Sequence, residues 1–162
     1  MLFNQIVKPQ EPSCKHSNKE INSILIKIER TSMYSSIPFI LAILREQRAG
    51  NLNDADTIAI LNILLVLLVR RKVCELKTTK YDVFFPSLLS KIINEPDKAK
   101  AFKDQILKED LWVSNQEFED AFVIKSLYKQ TELEFVRLVL QEIDKTMQIH
   151  GQLPDYSSIN TI

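Results

Sequence analysis

The stretch that most constrains the fold is residues 58–69, IAILNILLVLLV, in which Asn62 is the one polar side chain. Its 12 residues fall well short of the roughly 20 that a membrane-spanning helix needs. Apolar side chains at almost every position leave no polar face of the kind that a surface helix shows. We therefore expect a buried central helix that several other helices cover.

Polar residues on either side indicate where this helix begins and ends. Asn53 is a residue type that caps helix N-termini, and Asp54 and Asp56 favour the positive end of the helix dipole. The run RRK at residues 70–72 stands where cations favour the negative end. The sequence predicts a helix over about residues 54–74.

Glycine content excludes several other fold classes. Two of the 162 residues are glycine, which is too few for a β-sandwich, a β-barrel or a glycine-rich phosphate loop. Hydrophobic residues make up 45% and charged residues 26%, as in soluble globular proteins, and the length suits one domain. The prediction is an all-α fold, a single bundle of about seven helices.

Local signals place the other helices. Residues 17–20, SNKE, have the form of a capping box, and an apolar stripe follows at Ile21, Ile24, Leu25 and Ile28. Ser114 and Glu117 form a second Ser-x-x-Glu box. Further helices are expected from about residue 36 to Gly50, over 85–94, within 95–110, and from 131 onward. The last of these has an apolar seam, with Leu133, Val136, Leu140, Ile143 and Met147 spaced to face a neighbouring helix.

The same pattern gives the expected boundaries. Residues 1–17 hold two prolines and little periodicity, so we interpret them as a leader or linker. The bundle spans residues 18–150. Residues 151–162 form a short extended tail, in which Ile159 and Ile162 alternate like the start of a strand.

No motif in the chain carries recognisable chemistry. Cys14 and His16 form a Cys-x-His pair without further spaced ligands, so no metal site is predicted. Glu117, Glu119 and Asp120 open one helix, where capping and the dipole already explain them. We expect no catalytic residue, no metal and no cofactor in this chain.

Arg70, Arg71 and Lys72, here called the basic triplet, remain as the candidate site. One interpretation is a helix end with solvated cations, and the other is a DNA-facing or interdomain patch that contacts phosphate. The 21 basic and 21 acidic residues give a net charge of zero, so the chain as a whole does not attract nucleic acid.

Two cysteines far apart in sequence, and the lack of a signal peptide, favour a reducing cytoplasm. No membrane partner is expected.

Three stretches taken in order resemble one family. They are residues 52–92, LNDADTIAILNILLVLLVRRKVCELKTTKYDVFFPSLLSKI, residues 111–128, LWVSNQEFEDAFVIKSLY, and FVRLVLQEIDKTM followed by the closing INTI. The order is similar to that in the GmrSD-type modification-dependent restriction endonucleases and their uncharacterised bacterial relatives, over about residues 20–162. The chain departs from the family pattern at Val113, where proline is common, at Asn115, where aspartate is common, and at Glu75, where glycine is frequent.

The resemblance implies a function for the intact protein. In such proteins the strand matching INTI leads into Glu-His-Ile-Met-Pro, which opens a His-Me finger (HNH-like) nuclease that works with a divalent metal. A nucleotide-handling domain with an Asp-Gly-Gln-Gln-Arg-type motif precedes the helical region. Neither motif occurs in these residues, so we expect the product of a truncated reading frame, or an excised piece of a longer protein, with no catalytic residue of its own.

The leading expectation is therefore the helical scaffold of a phage-defence nuclease that cleaves modified or foreign DNA. The alternative is a free-standing helical interaction module, such as an adaptor or antitoxin. A third possibility, an enzyme that uses Glu117 or Asp120, needs those side chains in a concave pocket.

Overall fold

The computed structural model describes residues 2–124 and 133–147, and within those ranges every regular element is helical, which confirms the all-α prediction. The regular elements in these ranges are eight α-helices and one short 3-10 turn, Tyr34–Ser36. The helices are α1 Leu2–Val7, α2 Lys19–Arg30, α3 Ile37–Ala49, α4 Asp54–Val73, α5 Tyr81–Ile92, α6 Lys98–Lys108, α7 Asn115–Ile124 and α8 Leu133–Met147.

The apolar helix α4 is the centre of the packing, as predicted. It contacts α2, α3, α6 and α7. Its residues Ile60, Leu61, Leu64, Leu67 and Leu68 are fully shielded from solvent, at 0% exposure. None of the helices in the described ranges is both long enough and apolar enough to cross a membrane.

Most helix ends follow the expected capping residues. Gly50 ends α3 with φ of 82°, the left-handed conformation that glycine adopts without strain. The Asn53 side chain accepts a hydrogen bond from the backbone N–H of Asp56 at 2.7 Å and so caps α4. At α2 the cap is Asn18 rather than Ser17, and its side chain accepts from the N–H groups of Glu20 and Ile21.

Helix α5 begins four residues earlier than predicted and contains Pro86 in its interior. An interior proline costs a helix about 3 kcal/mol. Tyr81, Phe84 and Phe85 are buried on this helix, and burying each aromatic side chain contributes roughly 1.5–3 kcal/mol. The burial outweighs the proline penalty, which is why the helix starts at Tyr81.

An aromatic cluster joins α3, α5 and α6. The ring of Phe39 lies 5.6 Å from that of Phe85 and 5.2 Å from that of Phe102, measured between centroids. All three rings are at most 1% exposed. Such pairs add roughly 0.5–1.5 kcal/mol beyond their area burial, so this cluster is a principal contact of the core.

The N-terminal residues differ from the leader that the sequence indicated. Residues 2–7 form α1, which contacts α2 and α3, and Ile6 is only 4% exposed. His16 is also buried: its backbone N–H donates to Asn22 Oδ1 at 2.8 Å, and its Nδ1 accepts from the N–H of Asn18 at 3.1 Å. This segment was missed because one buried isoleucine gives no periodic signal.

The chain divides into two compact units, Met1–Lys125 and Ser126–Ile162. Helices α1–α7 belong to the first unit and α8 to the second. The predicted tail over residues 151–162 lies outside the described residues.

The predicted seam of α8 is mostly not its buried face. Val136 is buried, but Leu133, Leu140 and Ile143 are 38–52% exposed, and the side chain of Met147 lies outside what the structure describes. The other buried residues are Phe135, Leu138 and Val139. Apolar residues occupy two sides of this helix, and spacing alone could not rank them.

Candidate functional site at the C-terminal end of α4

The basic triplet occupies the last turn of α4, and its three side chains diverge. Successive residues of an α-helix are about 100° apart around the axis, so three neighbours cannot share one face. Arg70 is partly exposed, Arg71 is 7% exposed, and Lys72 is partly exposed. The geometry therefore separates the three charges instead of gathering them on one outward surface.

Arg70 binds the segment between α6 and α7, residues 109–114, which we call the connector. Its Nη1 donates to the carbonyl oxygen of Val113 at 2.9 Å, and its Nη2 donates to Asn115 Oδ1 at 2.6 Å. The guanidinium carbon lies 5.3 Å from the ring centre of Trp112 and 5.2 Å from that of Phe118. Arginine suits this role because its planar fork can donate and stack at the same time.

Arg71 is buried and binds the same connector from its core-facing side. Its Nη1 donates to the carbonyl oxygen of Leu111 at 2.9 Å, and its Nη2 donates to that of Lys77 at 3.2 Å. Within the part of the chain that the structure describes, no carboxylate pairs with this buried guanidinium, so carbonyl dipoles stabilise its charge.

The ring of Tyr81 lies against the Arg71 guanidinium, at 5.3 Å from its carbon to the ring centre. Burial raises the pKa of the Tyr81 phenol to about 12, and the positive charge of Arg71 opposes part of that rise. The phenol is therefore neutral at physiological pH.

Lys72 points away from both arginines. Its Nζ donates to the carbonyl oxygen of Thr31 at 2.7 Å, at the C-terminal end of α2. Together the basic triplet fastens the end of α4 to the connector, to the turn after α4 and to α2. These contacts within the chain give the basic triplet a structural role, and the expected DNA-facing or interdomain patch stays a prediction.

The box at the start of α7 is present as the sequence predicted. The N–H of Ser114 donates to Glu117 Oε2 at 2.9 Å, and the N–H of Glu117 donates to Ser114 Oγ at 3.2 Å. Hydrogen bonds from the Ser114 side chain and then from its backbone lower the pKa of the Glu117 carboxyl.

A cavity of about 380 Å³ lies beside this box, and Arg71, Cys74, Asp110, Trp112 and Glu117 are among its lining residues. Glu117 thus meets the concavity that the enzyme alternative requires. Its carboxylate is already bound to the Ser114 N–H and has a lowered pKa, which weakens it as a general base. Asp120 does not line the cavity and accepts a hydrogen bond from Gln116 at 2.9 Å.

The acidic start of α4 also has a structural role. Asp54 accepts from Asn18 Nδ2 at 2.6 Å and from Gln47 Nε2 at 2.8 Å. Hydrogen bonds from Gln47 first and Asn18 second lower the pKa of the Asp54 carboxyl. Asp56 lies 3.8 Å from the Lys98 ammonium. Among the described residues, no three His, Cys, Asp or Glu side chains form a group that could hold a metal.

Comparison of the chain with protein-family models, curated proteins and solved structures finds no match.

The sequence indicated the basic triplet as a candidate site but not the backbone carbonyl groups that its arginines bind. The carbonyl groups of Leu111 and Val113 lie 40 and 43 residues from the arginines that bind them. A signal was nevertheless present: residues 109–114 join two helices, and their backbone carbonyls need donors.

Proposed function

We propose that this chain is the helical scaffold of a GmrSD-like restriction endonuclease that acts in the cytoplasm in phage defence. In this proposal the chain does not cut DNA itself. It holds a nucleotide-handling part and a metal-dependent nuclease part in a fixed relation, and those parts supply the nucleotide chemistry, the divalent metal and the DNA cleavage.

One observation carries the proposal. The paired arginine at the end of α4 and the tryptophan-and-cap stretch at residues 111–118 are the most distinctive segments of the resemblance. In the structure they contact each other: Arg70 and Arg71 donate to the carbonyl groups of Val113 and Leu111, and Arg70 stacks on Trp112. Residues that resemble a family motif and interlock in this way suit a structural role.

The energetics support a rigid joint at this place. Hydrogen bonds to a charged donor contribute roughly 1.5–3 kcal/mol each, and cation–π contacts roughly 0.5–2 kcal/mol. A joint made of several such contacts resists bending between α4 and α7. Resistance to bending is what a spacer between two working domains needs.

The most direct test is the coding DNA on both sides of these residues. We expect a Glu-His-x-Met-Pro segment after residue 162 and an Asp-Gly-Gln-Gln-Arg-type segment before residue 1, in frame or separated by a frameshift. A separate gene bounded by stop codons, with neither segment nearby, would overturn the proposal and favour the adaptor alternative.

A second test uses the purified chain. It is expected to leave methylated, hydroxymethylated and unmodified plasmid DNA intact with Mg²⁺ or Mn²⁺, because the cleavage chemistry lies in another part of the protein. Cleavage that EDTA abolishes and that Glu117→Gln removes would instead support the enzyme alternative. The matched control is Glu119→Gln, an exposed carboxylate two residues away on α7.

A further inference from the structure

A groove of about 440 Å³ runs along α5, and the connector forms its opposite wall. Lys80, Val83, Ser87 and Lys91 line it from the α5 side, at spacings that place them on one helix face. Glu109 lines the connector side. The groove lies within the first unit, and Leu111, whose carbonyl oxygen Arg71 binds, is one of its lining residues.

The two ends of the groove are positive. Lys80 and Lys91 are 11 residues apart, which at 1.5 Å of rise per residue separates their backbones by roughly 16 Å. Both side chains are exposed, and neither ammonium forms a hydrogen bond or ion pair with any residue that the structure describes. Glu109 is the one carboxylate among the lining residues whose side chains the structure describes, and the two lysines outnumber it.

The middle of the groove is apolar. Val83 is 79% exposed on α5 between the two lysines, while Phe84 and Leu111 lie beneath it at 6% and 0% exposure. A side chain placed on Val83 would remove apolar surface of both partners from water. The occupant must therefore combine negative charge at two ends with an apolar group between them.

We propose that this groove binds an acidic segment of a partner protein, in extended conformation, with an apolar side chain on Val83 and one carboxylate at each lysine. An extended chain advances about 3.3 Å per residue, and every second side chain points to the same side. Two carboxylates that face lysines roughly 16 Å apart are therefore about four or six residues apart in sequence. The Ser87 hydroxyl lines the groove between Val83 and Lys91 and donates to the carbonyl oxygen of Phe84 at 3.3 Å, so its oxygen can accept from a backbone N–H of the segment.

The same features argue against nucleic acid as the occupant. A sugar-phosphate backbone has no apolar side chain to cover Val83, and Glu109 repels its phosphates. The inference does not depend on the nuclease proposal, because Lys80, Val83 and Lys91 take no part in the contacts between the basic triplet and the connector.

The test is an affinity selection from a random seven-residue peptide library displayed on phage, with the full chain immobilised. We expect selected peptides to carry Asp or Glu at positions about four or six apart, with an apolar residue an even number of positions from each, so that all three side chains share one side. The selection is repeated on Lys80→Gln/Lys91→Gln and on Lys100→Gln/Lys103→Gln, which removes the same charge from exposed positions of α6 outside the groove.

The selected peptide is then labelled with fluorescein and titrated by anisotropy. Loss of two exposed ion pairs is expected to weaken binding about three- to tenfold in the groove variant and less than twofold in the α6 variant. Val83→Ser is expected to weaken binding with no change in its salt dependence. Circular dichroism checks that each variant keeps its helix content.

Three results would overturn the proposal: no enrichment of peptides over the bare support, enrichment without acidic residues, or equal loss of binding in both double variants. Competition by a 20-base-pair DNA duplex that releases the peptide from the wild type but not from the groove variant would identify nucleic acid as the occupant and also overturn it.

Discussion

Arg71 of α4 and Leu111 of the connector are joined by a hydrogen bond of 2.9 Å from Nη1 to the backbone carbonyl oxygen, across 40 residues of sequence. Arg71 is buried and binds a second carbonyl, that of Lys77. A buried cation held by neutral acceptors is a structural group, because its charge is not offered to solvent.

Replacing Arg71 tests this contact directly. Arg71→Met leaves two carbonyl groups without their donor, while it also removes the cost of burying a charge. We expect the free energy of unfolding to fall by about 2–3 kcal/mol in urea titrations followed by the fluorescence of Trp112, the only tryptophan. The control is Arg48→Met at an exposed position of α3, and a loss no larger than that control would contradict the assignment.

Ile6 tests whether the N-terminal segment is part of the folded unit. Ile6→Ala is expected to cost about 2–4 kcal/mol of unfolding free energy, because the side chain is 4% exposed and packs in the core. Phe3→Ala in the same helix is the control, since Phe3 is 52% exposed. If both variants unfold at the wild-type urea concentration, residues 2–7 behave as a leader after all.

Ser114 tests the capping box of α7. Ser114→Ala removes the acceptor of the Glu117 N–H and is expected to cost about 1 kcal/mol, with faster hydrogen exchange at that amide. Ser90→Ala, whose hydroxyl bonds a carbonyl within α5, should stay within about 0.5 kcal/mol of the wild type. Unchanged exchange at Glu117 would show that the box does not hold the helix end.

Asp54 gives the chain an acid-dependent contribution to stability. Its pKa is lowered in the folded state by bonds from Gln47 and Asn18, so the unfolded state binds the proton more tightly. The stabilisation is therefore fully present above the ordinary carboxyl pKa of about 3.9 and is lost as pH falls through the lower folded value.

Asp54→Asn is expected to flatten the fall in unfolding free energy below about pH 4, measured by urea titration at steps of pH. Asp104→Asn, an exposed carboxylate of α6, is the control and should leave the slope unchanged. If the unfolding free energy of Asp54→Asn falls with pH as steeply as that of the wild type, the hydrogen bonds from Gln47 and Asn18 to Asp54 are not kept in solution.

Features set by neighbouring residues were predictable from the sequence. The stripe of Ile21, Ile24, Leu25 and Ile28 is buried as expected, Gly50 ends α3, and the box of Ser114 and Glu117 forms. Each depends on residues within about two helical turns, where spacing and capping chemistry decide the outcome.

Features set by distant contacts were not predictable. The direction of Arg70 depends on where residue 113 lies, and a single sequence contains no measure of that distance. The burial of α1 depends on the space that α2 and α3 leave beside it. Composition gives the charge of the basic triplet but not the groups that its side chains contact, and the expected DNA-facing or interdomain patch stays a prediction.

The most direct test of the central claim compares two triple variants of equal charge. One changes Arg70, Arg71 and Lys72 to Gln, and the other changes the exposed Arg48, Lys100 and Lys103 to Gln. Unfolding free energy and affinity for a 20-base-pair duplex are measured for both. The account predicts that the first variant is less stable than the second by about 3 kcal/mol or more, with no additional loss of duplex binding. Equal stability of the two, with duplex binding at least about tenfold weaker in the first, would contradict it.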